Sequence, residues 1–231
     1  MNTPHKMRFR TSAVALVSVL ALSGGVLAAC DSQPGNAGQA TSTTVEHDHG
    51  GDQTAKVEIN SAMRTLWAEH MQWTYDTVVA FAAGSEGLTP TMERLLANQE
   101  QIGAAIEPFY GEAAAAQLTE LLKTHINDAV PVLTAAKAGD STALQTALDE
   151  WYRNAREIGD FLATANPGNW DKAEMEEMME MHITQTVAYA SAQLGGDFAG
   201  AIAKYDEAAS HMADMADMLS SGIIQQFPDK F

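Results

Sequence analysis

The sequence contains a single cysteine, Cys30, among 231 residues. An internal disulfide is therefore impossible, and no second cysteine is left to build a thiolate site. Basic residues are also scarce: 13 Lys and Arg stand against 30 Asp and Glu, which gives a formal net charge of −17. Such a surface repels phosphate backbones, so we expect no nucleic-acid partner. Alternating runs of Val, Ile and Thr, which would favour strands, are missing as well.

The apolar stretch near the N-terminus is too short to span a membrane. It covers Ala13–Leu22 and follows three basic residues, whereas a membrane helix needs about 20 residues. This order is typical of an export signal. The letters LAAC, ending at Cys30, resemble the lipobox at which bacterial lipoproteins are cleaved and lipidated. We therefore predict a signal peptide over residues 1–29 and a lipid on Cys30. The protein would then sit at the extracytoplasmic face of the cell membrane, held there by its anchor. An ordinary signal peptide with a chance cysteine is the alternative.

Residues 30–56 are dominated by Gly, Ser, Thr, Gln and Pro. This composition predicts a disordered tether that follows the lipidated cysteine. It includes His47 and His49 on either side of an aspartate. Such a cluster can bind a divalent metal weakly, or it can simply be part of a polar tether.

From Val57 onward, apolar residues recur at spacings of three and four, which predicts an all-α domain over residues 57–231. Breaks in the pattern predict six helices, at about 57–83, 89–108, 112–138, 141–166, 171–194 and 197–227. Thr89 should cap the second helix, with Pro90 at its first position. Pro131 should kink the third helix or loosen one of its turns.

The helices also repeat in pairs. A shift of about 57 positions places His125 on His182 and Asn154 on His211. With one adjustment, the first two helices add two further equivalent residues, His70 and Asn98. The spacing thus predicts a six-helix bundle built from three pseudo-repeated helical hairpins. A chance match between amphipathic helices is the alternative.

Four histidines fall on the apolar stripes of these helices: His70, His125, His182 and His211. Asn98 and Asn154 face inward at the positions equivalent to the last of them. Helical bundles build metal and cofactor sites from facing side chains in their cores, and neutral imidazole ligates zinc and copper. We therefore predict that the four histidines hold a transition metal, copper or zinc, beside a polar network formed by the two asparagines. Alternatively, these side chains satisfy one another by hydrogen bonds and only organise the core.

Methionines favour copper among the candidate metals. The last two helices carry seven of them: Met175, Met178, Met179, Met181, Met212, Met215 and Met218. Thioether and imidazole together suit Cu(I) and can also ligate haem iron. Methionine is equally an ordinary filler of helical cores.

Catalytic patterns are poorly represented. Glu does not stand three residues before any histidine of the predicted helices, so the di-iron bundle motif is missing. Nor is there a Ser–His–Asp order, a glycine-rich phosphate loop or a His-Glu-x-x-His helix. We therefore expect a binding module rather than an enzyme. The alternative is a structural or protein-interaction lipoprotein of the cell envelope, and beyond the membrane the sequence names no partner.

Several segments between residues 66 and 228 together resemble a family of small bacterial all-helical proteins of unassigned function. They include LWAEHMQWT, NQEQIGAAIEPFYG, WYRNAREIGDFL and MADMLSSGIIQQFP. The shared patterns are EHxxWT, NQxxIGxAIxPxYG, WYxNAxxIxxFL and MADxLSxGIIxQFP. The resemblance implies a helical fold and no particular activity. His70, Asn98 and Asn154 fall within these patterns, and two further resembling segments, KTHI and MMEMHITQT, contain His125 and His182. The lipid-anchored start lies outside the resemblance.

Overall fold

Six α-helices account for nearly all of the chain that the structure describes. This computed structural model describes the backbone of residues 49–231 and the side chains from residue 53 onward. The helices are α1 His49–Ala83, α2 Leu88–Tyr110, α3 Glu112–Ala138, α4 Ser141–Ala165, α5 Lys172–Leu194 and α6 Phe198–Gln226. A short 3₁₀ turn, Pro228–Lys230, follows α6. The all-α prediction and the six helices are confirmed, while Cys30, His47 and the predicted signal peptide lie outside the described residues.

Two helix starts differ from the prediction. Helix α1 begins at His49, inside the segment predicted as tether. Helix α2 begins at Leu88, so the prediction that Thr89 caps it is wrong. Pro90 permits the earlier start because the first turn of a helix needs no N–H from it. The Gly87 N–H donates to the Ser85 hydroxyl just before the helix, over 3.0 Å.

Three helix ends share one backbone arrangement. Gly84, Gly139 and Gly196 follow α1, α3 and α5 and have φ angles of 63°, 69° and 79°, the left-handed region in which glycine ends helices at low cost. After two of these turns an aspartate caps the next helix. Asp140 accepts hydrogen bonds from backbone N–H groups of α4, and Asp197 accepts one from α6.

The helices pack in chain order as antiparallel neighbours, and α6 returns to contact α1. The six helices therefore form a closed bundle and not an open stack. Helix α5 also contacts α1 and α3 across the bundle. These cross-bundle contacts place the inner face of α5 against those of α1 and α3. Helix α3 is continuous through Pro131, from Glu112 to Ala138.

Large apolar side chains fill the interior along the whole length of the bundle. Trp67, Trp151 and Trp170 are each less than 5% exposed, and they belong to a core cluster to which all six helices contribute buried apolar side chains. Within the described part of the chain, no helix is both long and apolar enough to cross a membrane.

Candidate functional site: a buried histidine cluster

Three histidines meet ring to ring in the middle of the bundle. His70 on α1, His125 on α3 and His182 on α5 are each only 2% exposed. The His182 ring lies between the other two, with its centroid 5.4 Å from that of His70 and 5.7 Å from that of His125. We call these three residues the histidine cluster. Trp67 packs on the far side of His70, and Trp151 packs against His125.

The tautomer of His125 follows from its neighbour Asn154. Asn154 is fully buried, and its Nδ2 donates to the Leu121 carbonyl over 3.1 Å. This bond orients the amide so that Oδ1 faces His125 Nδ1, at 2.9 Å. An amide oxygen can only accept, so Nδ1 carries the proton and Nε2 keeps its lone pair. No group of the described chain hydrogen bonds to that Nε2, although it is buried.

His70 has the opposite tautomer because its neighbour is a donor. The Nε2 of Gln99 lies 2.8 Å from the Leu95 carbonyl, 3.1 Å from Asn98 Oδ1 and 3.2 Å from His70 Nδ1. The Leu95 carbonyl oxygen and Asn98 Oδ1 can only accept, so the group facing them is the amide nitrogen of Gln99, and the orientation of the amide is fixed. His70 Nδ1 therefore accepts, and its proton lies on Nε2. Gln99, which is fully buried, was not among the predicted site residues.

Polar side chains of α2, α4 and α6 form equivalent hydrogen bonds to backbone carbonyls of α1, α3 and α5. Asn98 Nδ2 donates to the Leu66 carbonyl over 3.1 Å, just as Asn154 donates to Leu121. His211 Nε2 lies 3.1 Å from the Met178 carbonyl. Each acceptor carbonyl stands four residues before a member of the histidine cluster.

His211 lies apart from the other three predicted ligands. It is only partly buried, and it has no ring contact with the histidine cluster among the described residues. Since a carbonyl oxygen can only accept, its Nε2 carries the proton in the bond to Met178. That nitrogen is therefore not available to ligate a metal in this arrangement.

The histidine cluster is uncharged near neutral pH. Burial, followed by the nearby His125, lowers the pKa of His70 to about 3. Burial also lowers the pKa of His125 to about 4, against a weaker opposing effect of Asn154. The pKa of His182 falls well below its ordinary value, first through burial and then through the neighbouring histidines. All three rings thus offer lone pairs and N–H groups instead of positive charges.

A cavity of about 60 Å³ lies against the histidine cluster. All three rings line it, together with Thr186 and many aliphatic side chains of α1 to α5. None of the described residues that line it is Asp, Glu, Lys or Arg. We call this space the histidine cavity. Liquid water occupies about 30 Å³ per molecule, so the cavity can hold roughly two waters or a few heavy atoms of a ligand.

The geometry suits a metal less well than the sequence suggested. Within the described residues, no three or more His, Cys, Asp or Glu side chains form a group that could hold a metal ion. The His125 and His182 rings are stacked, with an angle of 26° between their planes. A ring nitrogen's lone pair lies in the ring plane, so stacked rings do not direct their lone pairs to one point.

The methionines that favoured copper lie elsewhere. None of the seven methionines of α5 and α6 lines the histidine cavity. Met179 and Met215 instead line a separate apolar cavity of about 20 Å³, and Met181 is 43% exposed. These methionines therefore fill the core or the surface, and the sequence-based preference for copper loses its support.

Comparison with known proteins gives no match. No family model matches the chain, and neither a curated protein nor a solved structure matches it significantly. The family resemblance of the motifs between residues 66 and 228 therefore stays a prediction, and the function is argued from the site itself.

Proposed function

We propose that this protein is a lipid-anchored, extracytoplasmic binding module whose ligand site is the histidine cavity. The observation that carries the proposal is the buried Nε2 of His125, an acceptor with no partner in the described chain and located on a ring that lines the cavity. His182 Nδ1 is also buried without a partner. Buried polar groups in native proteins are nearly always paired, so each unpaired one needs an explanation. Ten buried side-chain nitrogen and oxygen atoms of the described residues have no partner, and these two differ from most of them because their rings line the histidine cavity. A ligand bound there would give each of them a partner.

The anchor belongs to the same proposal. The lipobox-like ending at Cys30 would place a lipid there, and the Gly- and Ser-rich residues that follow would set the bundle at a distance from the membrane. The acidic surface, with a formal net charge of −17 for the whole chain, suits an exported soluble domain and disfavours nucleic acid as a partner.

A transition metal is one ligand class for the cavity, and His125 supports it. Metal-ligating histidines commonly donate their other N–H to a carbonyl or carboxylate oxygen, as His125 does to Asn154. His182 supplies the second candidate donor, Nδ1. His70 would first have to give up its bond from Gln99, and the stacked rings would have to turn. Zinc and copper both accept such imidazole ligands.

The metal form of the proposal is tested by metal content and thermal stability. The protein used would span residues 31–231, which include every residue that the structure describes. For a bound ion we expect near-stoichiometric copper or zinc, and a melting temperature several degrees higher than that of the chelator-treated protein. His125→Ala and His182→Ala should each abolish that difference. A form that also lacks residues 47–49 is the control for weak binding by the tether.

Equal melting temperatures with copper, zinc, nickel and chelator would contradict a metal ligand. Metal that disappears together with residues 47–49 would contradict it equally, because the ion would then reside in the tether.

The alternative is that the protein is a structural or protein-interaction lipoprotein of the cell envelope. The common hydrogen bonds of Asn98, Asn154 and His211 favour it, since they join neighbouring helices without any ligand. In that case the histidine cluster only fixes how the helices pack. The two functions differ in one respect: a purely structural cluster gains no stability from any small ligand.

We also propose that the bundle consists of three repeated hairpins, as the sequence predicted. Support comes from the three left-handed glycines after α1, α3 and α5. Further support comes from the three carbonyl acceptors, each four residues before a buried histidine. Under this proposal, the ligand site lies where the equivalent histidines of the three hairpins meet.

A further inference from the structure

We infer that the histidine cavity receives the hydroxyl end of a neutral aliphatic molecule, an alcohol, whose chain enters between α1, α2 and α3. This inference rests on the proposed binding function and specifies the chemical class of its ligand. Four observations carry it: the apolar lining of the cavity, the missing countercharge, the bare nitrogen of His125 and an adjoining groove that opens at the surface.

The cavity is apolar over most of its lining. Val78, Leu95, Val132 and Leu133 contribute aliphatic walls. The lining also includes polar side chains: the histidine cluster, Trp151, Thr74, Thr77, Thr186 and Ser191. The hydroxyls of Thr74 and Thr77 donate to carbonyls of their own helix. A ligand that fills such a space must carry an apolar body with one polar end. Burial of that body removes apolar surface from water, which supplies most of the binding free energy.

An ionised ligand would find no countercharge in this lining. It includes no charged side chain among the described residues, and a buried unpaired charge is strongly disfavoured. A carboxylate would also bring a second acceptor to His125 Nε2, which is itself an acceptor. A neutral hydroxyl solves both problems, because it carries no charge and can donate its hydrogen to Nε2. Its oxygen can also accept, and the Nε2–H of His70 is a donor on a ring that lines the same cavity.

A surface groove shows where the aliphatic chain would lie. The groove has a volume of about 260 Å³ and includes Phe81 and Leu88 in its lining. It shares four residues with the histidine cavity: Thr77, Met92, Val130 and Leu133. These four side chains border both spaces, and methionine is the most adaptable of the four types. The half-buried Met92 is therefore the side chain that would move to admit a ligand.

The probe that tests this is 1-hexanol, compared with its isomer pentyl methyl ether and with hexanoate. The ether has the same atoms and nearly the same shape but no hydrogen to donate. Binding to residues 31–231 would be measured by calorimetry and by the rise in melting temperature. We expect 1-hexanol to bind about five- to tenfold more tightly than the ether, the contribution of one buried hydrogen bond. Hexanoate should bind most weakly of the three.

Two variants check the location. His125→Phe removes the acceptor and should bring the affinities of alcohol and ether together. Met92→Trp should fill the border between groove and cavity and lower the affinity for 1-hexanol at least tenfold. Met218→Trp, at a half-buried methionine of α6 that lines neither space, is the matched control and should leave that affinity unchanged. The comparison of ligands on the unaltered protein, together with Met92→Trp, does not depend on how well His125→Phe folds.

Equal affinities for alcohol and ether, tightest binding of hexanoate, or an unchanged affinity in Met92→Trp would each overturn the inference. If a metal binds at His125 and His182 while 1-hexanol does not bind, the binding function stands and its ligand is an ion. If neither the metals nor 1-hexanol bind, the proposed binding function itself fails.

Discussion

Acidification from pH 7.5 to pH 5 is expected to lower the free energy of unfolding by about 6 kcal/mol. The cause is the histidine cluster. Its members are neutral in the folded protein, with a pKa of about 3 for His70, about 4 for His125 and a strongly lowered pKa for His182. In the unfolded chain each would have a pKa near 6.5. Protons therefore bind preferentially to the unfolded chain in the range between these values.

The stability falls as the pH falls because the pKa values of these histidines are lower in the folded protein than in the unfolded chain. At about one pH unit or more above 6.5, these rings are almost entirely unprotonated in both states, and the folded state keeps its full stability. As the pH falls further, the unfolded chain takes up three protons that the folded state excludes. The limiting slope is then about 4 kcal/mol per pH unit, three times the value for one proton. Domains are commonly stable by about 5–15 kcal/mol, so we expect cooperative unfolding near pH 5 if the stability is at the low end of this range, and at a lower pH if it is higher.

Urea unfolding at a series of pH values between 8 and 5 measures this slope. Replacing any one member of the cluster by Phe should reduce the slope by about a third, because one of three protons is removed. Carboxylates also titrate in the lower part of this range, but their contribution is common to all variants and cancels in the difference. Asn in place of both His47 and His49 is the control and should leave the slope unchanged. If the free energy of unfolding of the unaltered protein changed with pH by less than the uptake of one proton predicts, a neutral buried cluster would be contradicted.

Asn154→Leu is expected to destabilise the protein by about 2–5 kcal/mol at pH 7.5. The substitution keeps the side-chain size but removes two hydrogen bonds, to His125 Nδ1 and to the Leu121 carbonyl. Both former partners stay buried, and each unpaired group costs about 1–3 kcal/mol. Asn127→Leu, at an exposed position of α3, is the matched control and should change stability by less than about 0.5 kcal/mol.

A double-mutant cycle separates this interaction from simple repacking. In the combined His125→Phe and Asn154→Leu variant, both partners of one hydrogen bond are apolar and only the carbonyl of Leu121 is left unpaired. We therefore expect the double variant to be more stable than the sum of the single effects, by about 1–3 kcal/mol. Strict additivity would show that the two side chains do not depend on each other.

Periodicity and helix-ending residues were enough to predict most of the fold. Apolar spacing located all six helices, and Gly139 followed by Asp140 correctly marked one boundary, because a left-handed glycine and a capping aspartate act locally. The start of α1 could not be predicted in the same way. Residues 49–56 lack an apolar stripe, so their helical state does not follow from the local pattern that located the other helices.

The candidate site was only partly predictable. An apolar stripe indicates that His70 faces inward, and the structure brings it together with His125 and His182. The same pattern placed His211 with them, yet the packing of α6 leads its ring to a backbone carbonyl instead. Gln99 was missed because the repeat aligned only Asn98 with Asn154 and His211. An apolar stripe can include two adjacent positions, and both Asn98 and Gln99 are fully buried. The tautomers of the histidines and the position of the cavity depend on which side chains lie next to each other in space. The spacing of residues along the sequence does not show this.

The most direct test of the binding function is an imidazole ¹⁵N NMR spectrum of residues 31–231 at pH 7.5, with and without ligand. The nitrogens of a neutral ring report separately which one carries the proton and whether the other is hydrogen bonded. The account predicts a protonated Nδ1 and a bare Nε2 for His125, and a change at that Nε2 on adding 1-hexanol. The resonances of His47 should stay unchanged. A His125 Nε2 resonance that neither 1-hexanol nor zinc moves would contradict the account and leave the histidine cluster as part of the core alone.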